Sequence, residues 1–122
     1  MSSENPFDEV IFSYSRQQAI DDGVLVSLSY IETIRQHWKA PMACTSCVWA
    51  IIEQALQVEG QDLNGIAHDI STCAKRAINT SRDTDQIYFS TIIAGRKHAL
   101  KLHIGPGDTV APVLTLMLPN ED

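Results

Sequence analysis

The sequence predicts an α+β fold in which N-terminal helices pack on one face of a C-terminal three-stranded antiparallel meander. Three observations predict it. Two apolar stripes with helical spacing occupy the middle of the chain, one through Val48, Ile51, Ile52, Ala55 and Leu56 and one through Leu63, Ile66, Ala67, Ile70, Ala74 and Ala77. The last third changes to a period of two, with Ile87, Phe89, Thr91 and Ile93 alternating with Tyr88, Ser90, Ile92 and Ala94. The links between the late apolar runs are short and rich in turn-forming residues, which suits antiparallel neighbours. Helices first and strands last make α+β the natural class.

Residues 1–8 are expected to form a flexible arm, with Pro6 opposing helix, and Val10–Tyr14 an extra short N-terminal strand. Ser15 fits a helix N-cap, and Gln18 stands where a capping box needs it. Ala19 and Ile20 give that short helix its apolar side. Gly23 is placed as the left-handed residue after the last turn, followed by Val24 and Leu25. Asp21 and Asp22 oppose the dipole at the helix C-terminus. Ser29–Lys39 reads as a second helical segment ending near Pro41. The first long stripe starts at Pro41 or Thr45 and stops at Gly60. The second runs from Asp62, a cap, to Asn79; Gly65 in its first turn costs roughly 1 kcal/mol against alanine, or admits a close neighbour. After the first strand, Gly95–His98 is read as the turn, Leu100–Ile104 as the next strand, Gly105–Pro112 as a loop and Val113–Leu118, apolar on both faces, as a central or covered strand. Pro119 ends it.

At 122 residues the chain is expected to be a single domain. With 44% hydrophobic and 20% charged residues it is globular in composition. Its apolar runs fall short of the roughly 20 residues of a membrane helix, and the polar, acidic start has no basic n-region, so a cytoplasmic location and no membrane contact are expected. A net charge of −6 opposes direct contact with nucleic-acid phosphates. The local cluster of Arg96, Lys97, Lys101, His98 and His103 is small. The charge suits a protein partner with a basic surface. Asp21, Asp22, Asp62, Asp69, Asp83 and Asp85 are the candidate partner-binding residues.

Chemistry-bearing patterns are sparse. Cys44 and Cys47 have the spacing of a redox dithiol or of half a zinc site, but no strand is evident before them and no second ligand pair follows. Packing as small hydrophobes at a helix head is the preferred reading, with redox and metal as alternatives; Cys73, His37 and His68 are isolated as metal ligands. His68 falls at the polar flank of its helix. Lys101 and His103 share one strand face. Asp21 and Asp22 are adjacent and point apart, a poor acid–base pair. "GPGD" at Gly105–Asp108 lacks the Lys-Ser/Thr of a phosphate loop and reads as hairpin geometry. No cofactor, metal or catalytic residue is assigned.

The opening Tyr-Ser-Arg-x-Gln-Ala-Ile-x-Asp-Gly-Val-Leu at Tyr14–Leu25 and the closing Gly-Pro-Gly-Asp…Pro-Val-Leu-Thr-x-Met-Leu-Pro at Gly105–Pro119 resemble an uncharacterised family of small bacterial proteins carried by plasmids, prophages and phages, a domain of unknown function. The resemblance implies a genomic setting and no catalytic residues. It suggests a non-catalytic inhibitor of a host defence system, anti-CRISPR-like, that occupies a basic surface. An adaptor or regulatory protein of a plasmid or phage module is the alternative. The front of the chain is also vaguely similar to ADP-ribosyltransferase folds, with Tyr14 and Ser15 in the early place. The late acidic residues, Asp108, Glu121 and Asp122, then stand outside the strands, where that fold carries its glutamate within one.

Overall fold

A computed structural model of the chain describes residues 14–80 and 84–121. Among these residues are four helices and five strands: α1 Arg16–Asp21, β1 Leu25–Ser27, α2 Glu32–His37, β2 Met42–Thr45, α3 Ser46–Leu56, α4 Leu63–Thr80, β3 Gln86–Ile93, β4 Arg96–Pro106 and β5 Pro112–Met117. The expected arm and most of the expected strand Val10–Tyr14 lie outside the described residues; Tyr14 itself is in no strand.

The helix ends follow local chemistry. Ser15 Oγ accepts from Gln18 N at 3.0 Å while Gln18 Oε1 accepts from Ser15 N at 2.8 Å, so the capping box is complete. At the other end of α1, Gly23 has φ +81°, its N–H donates to Ile20 O, and Val24 N donates to Ala19 O. That pair of bonds is a Schellman closure, and the positive φ is why a glycine stands there. Thr45 caps α3 through Val48 N, and Asp62 caps α4 through Gly65 N at 2.7 Å. A Cβ on Gly65 would stand 3.4 Å from the Asp62 carboxylate, an ordinary contact, so the close approach read from the sequence does not require a glycine there. The second helical segment is shorter than Ser29–Lys39, covering only α2.

The three late strands form the expected antiparallel meander, but they are part of a larger sheet. Strand order is β1-β2-β5-β4-β3, with β2 parallel to β5 and every other pair antiparallel. The three-stranded sheet of the sequence reading is thus corrected to a mixed sheet of five. The two added strands are three and four residues long, and Met42, Ala43 and Cys44 are all buried. A strand so short and covered on both sides shows no alternation to find. The β3–β4 turn is also corrected. It is Ala94–Gly95, both at positive φ, and Arg96–His98 already belong to β4. Two successive positive φ values match the right-handed twist of the paired strands.

Helices do not share one face, as the sequence suggested. Ile34, Ile52, Ile66 and Ile70 from α2, α3 and α4 meet Leu116 of β5 in one apolar interior. Alternate residues of β5 point the other way, and there Thr115 is met by Arg16 of α1. Four side chains at the centre of the main core, Val48, Leu100, Leu102 and Leu116, are fully enclosed. Each such burial contributes about 1.5–3 kcal/mol. The central position expected for the apolar run Val113–Leu118 is the one β5 holds, third of five strands.

Candidate functional site

The opening and closing motifs fold onto each other. Asp108, from "GPGD", accepts from the backbone N–H groups of Arg16 and Gln17 at 2.7 and 3.1 Å, satisfying two N-terminal donors of α1. Arg16 in turn reaches under the helix: Nη1 donates to Thr115 Oγ1 and Nη2 to Leu114 O, each at 2.7 Å. Partial burial lowers the Arg16 pKa, and the nearby Asp108 charge opposes that shift. The expected loop Gly105–Pro112 is corrected to Gly107–Ala111, since Gly105 and Pro106 pair with Val113 and Pro112 in the sheet. Both glycines serve packing, because a Cβ on Gly105 would meet the His103 ring at 2.9 Å and one on Gly107 would meet Val113 at 2.8 Å. Asp108 and the glycines therefore build a corner between distant segments.

Beside this corner, the sheet face not covered by α2–α4 holds a half-open cleft of about 660 Å³. Register explains its floor. Met117, Lys101 and Tyr88 lie in one cross-strand row and Ala43, Thr115, His103 and Gln86 in the next, with Thr45 at the end of β2 also lining the cleft. Ala19 of α1, with Val24 and Leu25, forms an apolar wall. The tail forms another: Glu121 Oε1 accepts from Thr45 Oγ1 at 2.7 Å and from Leu118 N at 2.8 Å, and the Glu121 carbonyl accepts from Lys101 Nζ. Lys101 is only 4% exposed, with Nζ 5.8 Å from the centre of the Tyr88 ring. The sequence placed Lys101 and His103 together on one strand face, which the register bears out; it did not show that Lys101 is buried. Its position between Leu100 and Leu102 puts it on the opposite face, and its burial comes from the Glu121 segment, distant in sequence.

The candidate acidic residues divide between the two sides of the sheet. Asp21 and Asp22 are exposed at the end of α1; Gln17 Nε2 donates to Asp21 at 2.9 Å, and the Tyr14 phenol donates to Asp22 Oδ2 at 2.6 Å. The Asp22 bond, with minor help from desolvation and the two acidic charges, raises the Tyr14 pKa. Asp85 is exposed just before Gln86, which lines the cleft, and its carbonyl accepts from Ile104 N. Asp62 and Asp69 are on the far side, the first capping α4 and the second on its exposed face beside His68. Asp83 lies outside the described residues. None of the described aspartates lines the cleft, but Asp22 is bonded to Tyr14 and Asp85 precedes Gln86, both of which do.

Contrary to the sequence reading, a strand does precede the cysteine pair, and Cys44 is part of it. It is fully enclosed and its thiol is pushed up to about 12, first by burial and then by the Glu121 charge. Such a thiol is not a nucleophile near neutral pH. Cys47 is exposed in the first turn of α3. His37 and His68, isolated in sequence, meet edge to face with ring centres 5.3 Å apart. Among the described residues, no three His, Cys, Asp or Glu side chains gather as a metal site. Trp38 packs at the same junction, donating to Ser71 Oγ at 3.0 Å.

Comparison of the chain with protein families, with curated sequences and with solved structures finds no match in any of the three. Of the late acidic residues weighed for an ADP-ribosyltransferase-like site, Asp108 is bound to α1 and Glu121 to Thr45 and Leu118, while Asp122 is outside the described residues.

Proposed function

We propose that the protein acts by binding a protein with a basic surface, and not by catalysis. The observation that carries this reading is the acidic corner itself. Asp21 and Asp22 are exposed, yet the helix bearing them is fixed at both ends, by Asp108 and the capping box on one side and by the Schellman closure on the other. Neutral donors, the Tyr14 phenol and the Gln17 amide, orient both carboxylates without cancelling their charge. A preorganised pair loses less freedom on binding than a mobile one. The net charge of −6 favours fast association with a basic partner. The resemblance of the two motifs to mobile-element proteins extends the reading: the partner is a host defence effector, and the protein blocks its nucleic-acid-binding surface, as an anti-CRISPR protein does.

The test is charge reversal against a panel of purified defence effectors. Asp21→Lys with Asp22→Lys, and Asp85→Lys, are expected to weaken binding at least tenfold at low salt with unchanged thermal stability. Asp69→Lys, on the far side of the sheet, is expected to bind as the parent does. Equal affinity in all variants, or no complex with any effector and no protection of phage or plasmid, overturns the reading.

A further inference from the structure

We propose that the cleft beneath α1 is a binding site for a small amphipathic molecule carrying one carboxylate, with Lys101 as its counter-ion. Lys101 is a charged group more than nine-tenths buried, and among the described residues its ammonium has one hydrogen-bond acceptor, the neutral carbonyl of Glu121. The Tyr88 ring offers it a second, weaker contact. An ammonium has three donors, and a buried charge without an opposite charge bonded to it is costly. Lys101 lines a cleft of about 660 Å³, the size range of small-molecule sites. An anion entering there would take up the spare donors.

The rest of the wall narrows the ligand class. Glu121 carries its carboxylate in the same cleft, bonded to Thr45 and Leu118, so a second negative charge on the ligand would meet repulsion. One charge fits better than the two of a phosphate monoester. Ala19, Val24, Leu25 and Met117 supply apolar surface for a hydrocarbon body, and the α1 corner limits its width. The carboxylate would lie at the floor beside Lys101 and the body would run toward Val24, which is 53% exposed at the mouth. This site does not depend on the protein-binding reading, since its ligand meets Lys101 and not the exposed carboxylates.

The experiment is an NMR titration of the whole chain with octanoate, octanol and inorganic phosphate. Octanoate is expected to shift the amides of Thr45, Ser46, Lys101 and His103 saturably. Octanol is expected to bind at least tenfold more weakly, and phosphate to leave these amides in place. Lys101→Met is expected to lower octanoate affinity by about tenfold or more, the loss of one charge-assisted bond. Should that variant fail to fold, Val24→Glu at the exposed mouth decides: it is expected to weaken octanoate several-fold with unchanged melting temperature. Equal binding of octanol and octanoate overturns the site, as do undiminished octanoate binding by Lys101→Met or Val24→Glu, shifts centred elsewhere, or no saturable binding.

Discussion

Asp108 closes the first turn of a helix that begins 92 residues earlier, with its carboxylate 2.7 Å from the backbone nitrogen of Arg16. One distant loop residue thus takes up two N-terminal donors of α1 besides the one that its N-cap, Ser15, accepts from. Asp108→Ala is expected to destabilise the protein by about 0.5–2 kcal/mol, the range of a lost N-cap. Urea unfolding measures it, with Asp69→Ala, at an exposed site, expected within about 0.5 kcal/mol of the parent.

Cys44 makes stability depend on alkaline pH. Its thiol ionises at about 12 in the folded chain, against an ordinary 9.0. The unfolded chain therefore releases this proton first, and the Cys44 contribution is whole below about pH 9 and is lost as pH rises toward 12. Urea unfolding between pH 8 and 11 should show a steeper decline for the parent than for Cys44→Ala, although the variant starts lower. Alkylation in the native state should label Cys47 and spare Cys44.

Thr91 is 2% exposed, and its hydroxyl has no hydrogen-bond partner among the described residues. Valine has nearly the same shape, suits a strand and removes the unpaired group. Thr91→Val is therefore expected to stabilise the fold by about 1 kcal/mol, read as a rise in melting temperature. A fall would mean that the hydroxyl is satisfied in solution.

Two glycines should respond in opposite directions. Gly23 has open space around it but φ +81°, so alanine there carries backbone strain and is expected to cost about 1 kcal/mol. Gly65 has no positive φ, and its nearest neighbour stands at 3.4 Å, so Gly65→Ala is expected to stabilise by about 0.5 kcal/mol through helix propensity. Thermal melts of the pair check both signs.

These positions also show how far the sequence could be read. Ser15, Gln18, Gly23 and Asp62 act on neighbours within a few residues, and their capping roles were legible because that chemistry is local. The helical stripes and the late alternation were legible because each repeats over many residues. Met42–Thr45 was not, because a short strand paired in parallel gains its identity from Leu114–Leu116, some seventy residues away. The cleft was hidden for the same reason: Ala19, Thr45, Lys101 and Glu121 come from four separate segments. Lys101 looked like an ordinary surface lysine until the Glu121 tail was seen to cover it.

The position of β5 bears on synthesis. Of the five described strands, β5 leaves the ribosome after the other four, yet it must enter the middle of the sheet, between β2 and β4. Until it arrives, the β1–β2 hairpin has no third strand to lie against and the β3–β4 hairpin exposes the other side of the same gap. Such late, long-range pairing is slow and leaves open edges while it waits. A nascent chain stalled before Pro112 should be a substrate for chaperones or proteases, and a protein stopped there should not accumulate as a folded fragment. Keystone-last assembly makes the whole sheet, and the corner that Asp108 and Arg16 build on it, appear in a single late step.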